Sequence, residues 1–188
     1  MDLDSVLKLI ENVRKYEVKN VDDNDIKEIL EVSKKTPSAS NTQPWAIVLV
    51  KENKEELAEC TLDPLLREEN SMKQTWIKDA PIVLLICIDV KRARVRFGRT
   101  GENIFAIQDT AVLIHNMRLK AAEKGFATCW VREISPHKIK ECFNLPLFIE
   151  PVGILTIGYS LERVGKRPAL DLEDFVYLET YGSPYGCS

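Results

Sequence analysis

The stretch "TPSASNTQPWAIVLV", residues 36–50, decides how the chain is read. Its first half gathers Pro37, Ser38, Ser40, Asn41, Gln43 and Pro44, types that make turns by fixing φ, bonding their own backbone or tolerating left-handed geometry. Its second half, AIVLV, is an unbroken apolar run of strand length, as expected where both faces of a sheet are covered. Thr36, placed before a proline, is pushed out of the helical region. The stretch therefore joins the end of an early helix to a buried strand. Backbone N–H groups and side-chain amides at such a place suit a planar heterocycle with a polar rim, with Trp45 as an aromatic wall. Turn chemistry and core filling explain the same residues without any ligand, and on this stretch alone that simpler reading leads.

Outward from it, helices and strands alternate without a repeat or a low-complexity linker. Residues 4–15 predict a short helix with Val6, Leu9, Ile10 and Val13 on one face, ending at Arg14 and Lys15. Asp22 or Asp23 caps a second helix through "DIKEILEVSKK", with Ile26, Ile29 and Leu30 as its apolar stripe. AIVLV and "IVLLICI" are expected as central strands. From Asn103 to Lys124 the chain is apolar nearly all round, which predicts a long core helix closed by Gly125. "FATCWV" reads as a strand, "SPHKIKECF" as a helix with Ser135 at N-cap and Pro136 at N1, and "PVGILTIGY" as a strand. Residues 160–188 form a basic turn and a tail with one more apolar segment.

With 188 residues, 45% of them hydrophobic, the chain supports one sizeable core, so residues 1–188 are expected as a single domain. A net charge of -3 provides no global field for nucleic acid or an anionic membrane, and neither is expected as a partner. Five cysteines, an odd number, widely spaced and without a C-x-x-C pair, read as reduced thiols rather than a disulfide framework or a zinc site. The longest apolar run, "APIVLLICI", is too short to span a bilayer, and the acidic N-terminus lacks an apolar leader, so a cytoplasmic protein is expected.

Several segments, taken in order, resemble the nitroreductase family of FMN-dependent flavoproteins. TPSASNTQPW is similar to the family's A-P-S-x-x-N-x-Q-P-W, and "DAPIVLLICID" to its A-P-x-x-I-x-V strand. "IQDTAVLIHNMRLKAAEKGFATCWV" is similar to its D-x-A-x-x-x-x-N-x-x-L-x-A-x-x-x-G-L-x-x-x-W. "FNLPLFIEPVGILTIGY" and "GKRPALDLEDFV" follow the family's L-G-L-P strand and its basic C-terminal segment. The resemblance runs from about Val13 to Val176 and implies an α+β, nitroreductase-like fold, a mixed central sheet flanked by helices. It also implies a homodimer with the long apolar helix at its interface, FMN between subunits, and a C-terminal segment, about 160–188, reaching onto the partner.

The same resemblance assigns the candidate site. Ser38, Asn41 and Gln43 would bond the flavin or its ribityl chain, with Pro37 and Ala39 presenting backbone. Arg132 and Glu133 stand where a main-chain N–H meets flavin N5. Arg14, Lys15, Lys166 and Arg167 would balance the phosphate, a dianion that needs paired cations if buried. The family's N-terminal R-R-S-x-R is not matched: Ile10, Glu11 and Asn12 replace the two cations and the Ser, and only Arg14 keeps its place. Arg14 and Lys15 also read simply as cations at a helix C-terminus.

The implied reaction carries hydride from NADH or NADPH through flavin N5 to a nitroaromatic, a quinone or a related small electrophile. It requires no side-chain acid, base or nucleophile, and no catalytic side chain is assigned. His115 is expected as a core histidine and His137 as an exposed one, and Cys129 as an inert buried thiol. The basic run "KRARVRFGRTGEN", residues 91–103, reads as a solvated loop or as a steering patch for an anionic substrate. No metal-ligand spacing and no phosphate-cradling glycine motif is present. The alternative function is a flavin- or nucleotide-binding store or sensor without turnover, suggested by Ile10 and Glu11.

Overall fold

The computed structural model describes residues 1–62, 73–162, 165 and 168–186. Its elements are α1 (Leu3–Leu9), α2 (Asp23–Glu31), β1 (Trp45–Val50), α3 (Lys54–Glu59), β2 (Ile82–Asp89) and α4 (Val90–Thr100), then α5 (Ala106–Glu123), β3 (Ala127–Val131), α6 (Pro136–Cys142) and β4 (Ile149–Gly158). The strands form one sheet in the order β1-β2-β4-β3. Its ladders are antiparallel. A parallel contact enters through the bridge between Asn12 and Thr128.

The sheet has an apolar cluster on each face, as its uninterrupted strands require. Leu84, Ile86 and Leu155 pack with Leu113, Ile114 and Met117 of α5 and Ile29 of α2. Val83, Leu85 and Ile154 pack on the other face with Leu57 of α3, Ile77 and Ile139 of α6. β2 lies inside the sheet and is buried from Ile82 to Ile88. β1 does not meet the expectation of a central strand: it pairs with β2 alone and forms one edge, and its middle four residues are only half-buried. Between β2 and β4 the register shifts at Ile86/Cys87, opposite Pro151, which lacks the N–H an unbroken ladder would use.

Two further expectations are corrected. Residues 4–15 are not one helix: α1 ends at Leu9, because Asn12 and Val13 pair with Thr128 of β3 as extended chain. The basic run 91–103 is not a loop. It forms α4 and most of a π-helical turn at Gly101–Phe105 that continue into α5, a helical stretch of 34 residues. Asp89 caps α4 by accepting from the N–H of Arg92, and Gly98, at φ 53°, takes up the kink inside it. Gly101 lets the turn tighten, since a Cβ there would collide with the carbonyl of Ala93. α2, β3, α6 with its N-cap Ser135, and β4 lie where the sequence places them. Among the described residues no helix is long and apolar enough to cross a membrane.

Candidate flavin site

The turn before β1 is built from backbone that few side chains adopt. Ser40, Asn41 and Gln43 have φ of 49°, 52° and 43°, left-handed values that carry a cost for residues other than glycine. Contacts from distant elements hold it there. The Asp109 carboxylate accepts from the N–H of Ala39 at 3.0 Å, and Asn116 Nδ2 donates to Thr36 Oγ1 at 3.1 Å. Asp109 and Asn116 are seven residues apart, two turns of α5, so one helix face anchors the entry to the bend at Thr36 and Ala39. Arg92 donates to the carbonyl of Gln43 at 2.9 Å, and Ser38 Oγ accepts from the N–H of Gln43 at 2.9 Å. Ser38, Ala39 and Gln43 are half-buried, while Pro37 and Asn41 are exposed. A small cleft of about 210 Å³ lies beside the turn, lined by Ser40, Asn41, Thr42, Arg92, Val95 and Arg96.

The basic segment lies at the other edge of the sheet. Val13 donates to the carbonyl of Thr128, Leu161 to that of Lys15, and Glu17 to that of Tyr159, so residues 13–17 run as extended chain between β3 and the end of β4. Arg118 of α5 fixes the start of this run, reaching the carbonyl of Glu11, Asn12 Oδ1 and Thr128 Oγ1 at 3.2, 3.0 and 3.0 Å. Arg14 and Lys15 are exposed, and both line a cleft of about 560 Å³ with Tyr16, Trp76, Lys78 and Leu161. The N–H of Arg14 donates to Glu162 Oε1 at 2.6 Å, which marks an anion-accepting position beside the two cations. Burial raises the pKa of Cys129 at this spot, and Arg14 and Arg118 offset only part of the rise.

Arg132 and Glu133 follow β3. The Arg132 guanidinium lies over the Trp130 ring, 5.1 Å from its centre, and the Glu133 carbonyl accepts from the N–H of Leu62 at 2.9 Å. Trp130 lies against Gly153 of β4, where a Cβ would come within 2.8 Å of the indole nitrogen. That nitrogen is buried without a hydrogen-bond partner among the described residues.

The structure thus groups the candidates in two sets. Pro37, Ser38, Ala39, Asn41 and Gln43 stand at the β1 edge; on the β3 side, Arg14 and Lys15 stand where the chain passes from Thr128 to the end of β4, and Arg132 and Glu133 follow the end of β3. Lys166 and Arg167 lie outside the described residues. The N–H groups of Ala39, Asn41, Thr42 and Gln43 are already bonded to Asp109 or within the turn, so the turn offers a polar rim through the side-chain amides of Asn41 and Gln43; the exposed cations Arg14 and Lys15 suit an anion, but the Glu162 carboxylate already holds the Arg14 N–H. Sequence reasoning missed Asp109, Asn116, Arg118 and Glu162 as supports. The first two were visible as the D-x-A-x-x-x-x-N spacing; Arg118 and Glu162 had no signal, because the partners they hold at Glu11, Asn12 and Arg14 are far away in sequence. His115 is exposed rather than a core residue, and His137 is exposed as expected. Cys129 is buried as expected, and no cluster of metal-ligating side chains occurs among the described residues.

The model of the nitroreductase family matches residues 11–159. The chain is 27% identical over 185 residues to a putative NADH dehydrogenase/NAD(P)H nitroreductase of Methanothermobacter thermautotrophicus, covering 96% of this chain and 88% of that one. It is 25% identical to an FMN reductase [NAD(P)H] of Bacillus subtilis, over 90% of this chain and 70% of that protein. The crystal structure of a nitroreductase family protein from Streptococcus pneumoniae superposes with a TM-score of 0.81 at 19% identity, covering 94% of this chain and all of the other. With a family match over most of its length and this α+β architecture, the chain belongs to the nitroreductase family.

Proposed function

We propose that the chain is a homodimeric FMN-dependent oxidoreductase that uses NADH or NADPH to reduce small electrophiles such as nitroaromatics or quinones. The observation that carries this reading is the strained turn 38–43, locked in left-handed backbone by Asp109 and Arg92 with its amides at the sheet edge. Similarity to the Methanothermobacter NAD(P)H nitroreductase and the Bacillus FMN reductase supports the nicotinamide donor and the flavin. Bound FMN supplies the centre that takes up and gives up hydride.

What remains falls to the chain. Ser38, Asn41, Gln43 and the backbone of Pro37 and Ala39 hold the ring and ribityl polar atoms. Backbone at Arg132 and Glu133 would meet the ring, and Arg14, Lys15, Lys166 and Arg167 would balance the phosphate. The two described sets sit on opposite edges of a sheet about 14 Å across, at roughly 4.8 Å per strand spacing. One ligand meets both most directly when the turn comes from one subunit and the cations from the other. Apolar side chains are available for such a dimer: Ile104, Ile107 and Val112 on the long helix, and Leu170, Leu172, Phe175 and Leu178 on the tail, are exposed. On this reading the chain is a single domain whose described tail, with Leu170, Leu172, Phe175 and Leu178, reaches onto the partner.

The test is to purify the protein without added cofactor, identify any acid-released flavin, and assay NADH and NADPH oxidation with and without an acceptor. Retained FMN with acceptor-dependent oxidation is expected. FMN without turnover would favour the store or sensor reading, and failure to bind FMN after reconstitution would contradict both. Arg167→Ala is expected to reduce FMN retention far more than Arg94→Ala, because Arg94 is already paired with Glu102.

A further inference from the structure

α3 and α6 carry two thiols that neither the turn nor the basic segment uses. Cys60, directly after α3, is 3% exposed, and its Sγ lies 3.8 Å from Sγ of Cys142, the last residue of α6. Both are free, and Cys142 is exposed. The surrounding backbone is already fixed. The carbonyl of Cys60 accepts from the N–H of Ser135 at 2.8 Å, Thr61 bridges Ile134, and the N–H of Leu62 bonds the carbonyl of Glu133 at 2.9 Å. α6 starts at Pro136, so both sulfurs are tethered to one short assembly.

We propose that Cys60 and Cys142 form a dithiol site that low-molecular-weight disulfides convert reversibly to an intramolecular disulfide. The solvent-facing Cys142 loses its proton and attacks one sulfur of the small disulfide, forming a mixed disulfide and expelling one small thiolate. Cys60 then gives its proton to solvent and attacks the Cys142 sulfur, expelling the second thiolate and closing the bond. In balance, two protein thiols are oxidised to one disulfide and one small disulfide is reduced to two thiols. Exposure fixes the order of attack: an external reagent reaches Cys142, whereas Cys60 meets only its neighbour. Burial, reinforced by the adjacent Cys142 sulfur, also pushes the Cys60 thiol up to about 11, while Lys138 and Lys73 pull weakly in the opposite direction. Bond formation draws the sulfurs together by about 1.8 Å, from the observed spacing to a disulfide length of about 2.05 Å. The product would link positions 82 residues apart and staple α6 to the strand-like segment that holds Glu133 and Ser135.

The test uses full-length protein carrying Cys187→Ser, which removes the thiol outside the described residues, incubated with 2-hydroxyethyl disulfide. Intact mass is then measured under non-reducing conditions, and proteolytic peptides are mapped. The expected result is loss of two hydrogen masses per chain, no retained adduct, and one crosslinked peptide pair containing Cys60 and Cys142, restored by excess thiol. Cys60→Ser should instead trap a stable adduct on Cys142, and Cys142→Ser should leave Cys60 unmodified. A persistent adduct at Cys142 with Cys60 intact, a crosslink between chains, or no reaction at either thiol would overturn the proposal. The readout needs neither bound flavin nor turnover, so it stands apart from the proposed function.

Discussion

The turn at the β1 edge and the basic segment at the β3 edge are fixed by different means. The turn is short, strained and tied to one face of α5 and the start of α4. Its specificity lies in backbone geometry that three residues would not adopt unaided. The basic segment is extended chain with exposed cations, anchored by one arginine and sharing an N–H with a carboxylate. α5 supports both edges, through Asp109 and Asn116 toward the turn and through Arg118 toward the cations. A long helix mostly read as core or interface is also the rod that sets the spacing of the site.

Breaking one edge at a time tests that division. Arg118→Ala is expected to have the largest effect. It leaves the Glu11 carbonyl, Asn12 Oδ1 and Thr128 Oγ1 without their shared donor and costs roughly 2–4 kcal/mol, since hydrogen bonds to charged groups are the stronger class. Urea unfolding measures it, and FMN retention should fall with it. Asp109→Ala follows, at about 1.5–3 kcal/mol for the single charge-assisted bond to Ala39. It should weaken FMN affinity while leaving chain segment 11–17 protected from hydrogen exchange; loss of protection there would refute the separation of the two edges.

Smaller again is Asp89→Ala, about 1 kcal/mol for a lost N-cap, read from the thermal midpoint. Acid should act through the same residue. Burial raises the Asp89 carboxyl, but the N–H and guanidinium of Arg92 outweigh it and hold the pKa below the usual value. A depressed folded pKa stabilises above the unfolded pKa, near 3.9, and that contribution disappears as pH falls through the folded value. Asp89→Asn should therefore flatten the part of the acid-stability profile below about pH 4.

Much of this was legible in the sequence because local signals and tertiary demands agreed. IVLLICI is a buried inner strand, and Ser135-Pro136 opens α6, because apolar continuity and capping chemistry act where they are written. AIVLV looked central yet forms an edge, since an apolar run reports covering on its faces and not pairing on both sides. The run 91–103 looked like a loop because its charges and glycines hide a helix whose cap, Asp89, and whose kink, Gly98, are ordinary residues for those roles. Residues 10–15 carried helical spacing, but pairing with Thr128 and the grip of Arg118 override it. In the site, the residue types at 37–43 were readable, whereas Arg118 and Glu162 act across more than 100 residues of chain and left no local trace.

On the proposed function, the two edges meet on one FMN only when two chains come together. The most direct measurement is a titration of apoprotein with FMN in the analytical ultracentrifuge, recording absorbance of both protein and flavin. Flavin is expected to sediment with a dimer at one FMN per chain, with Arg118→Ala weakening that association. Saturation of a monomer with FMN would contradict it.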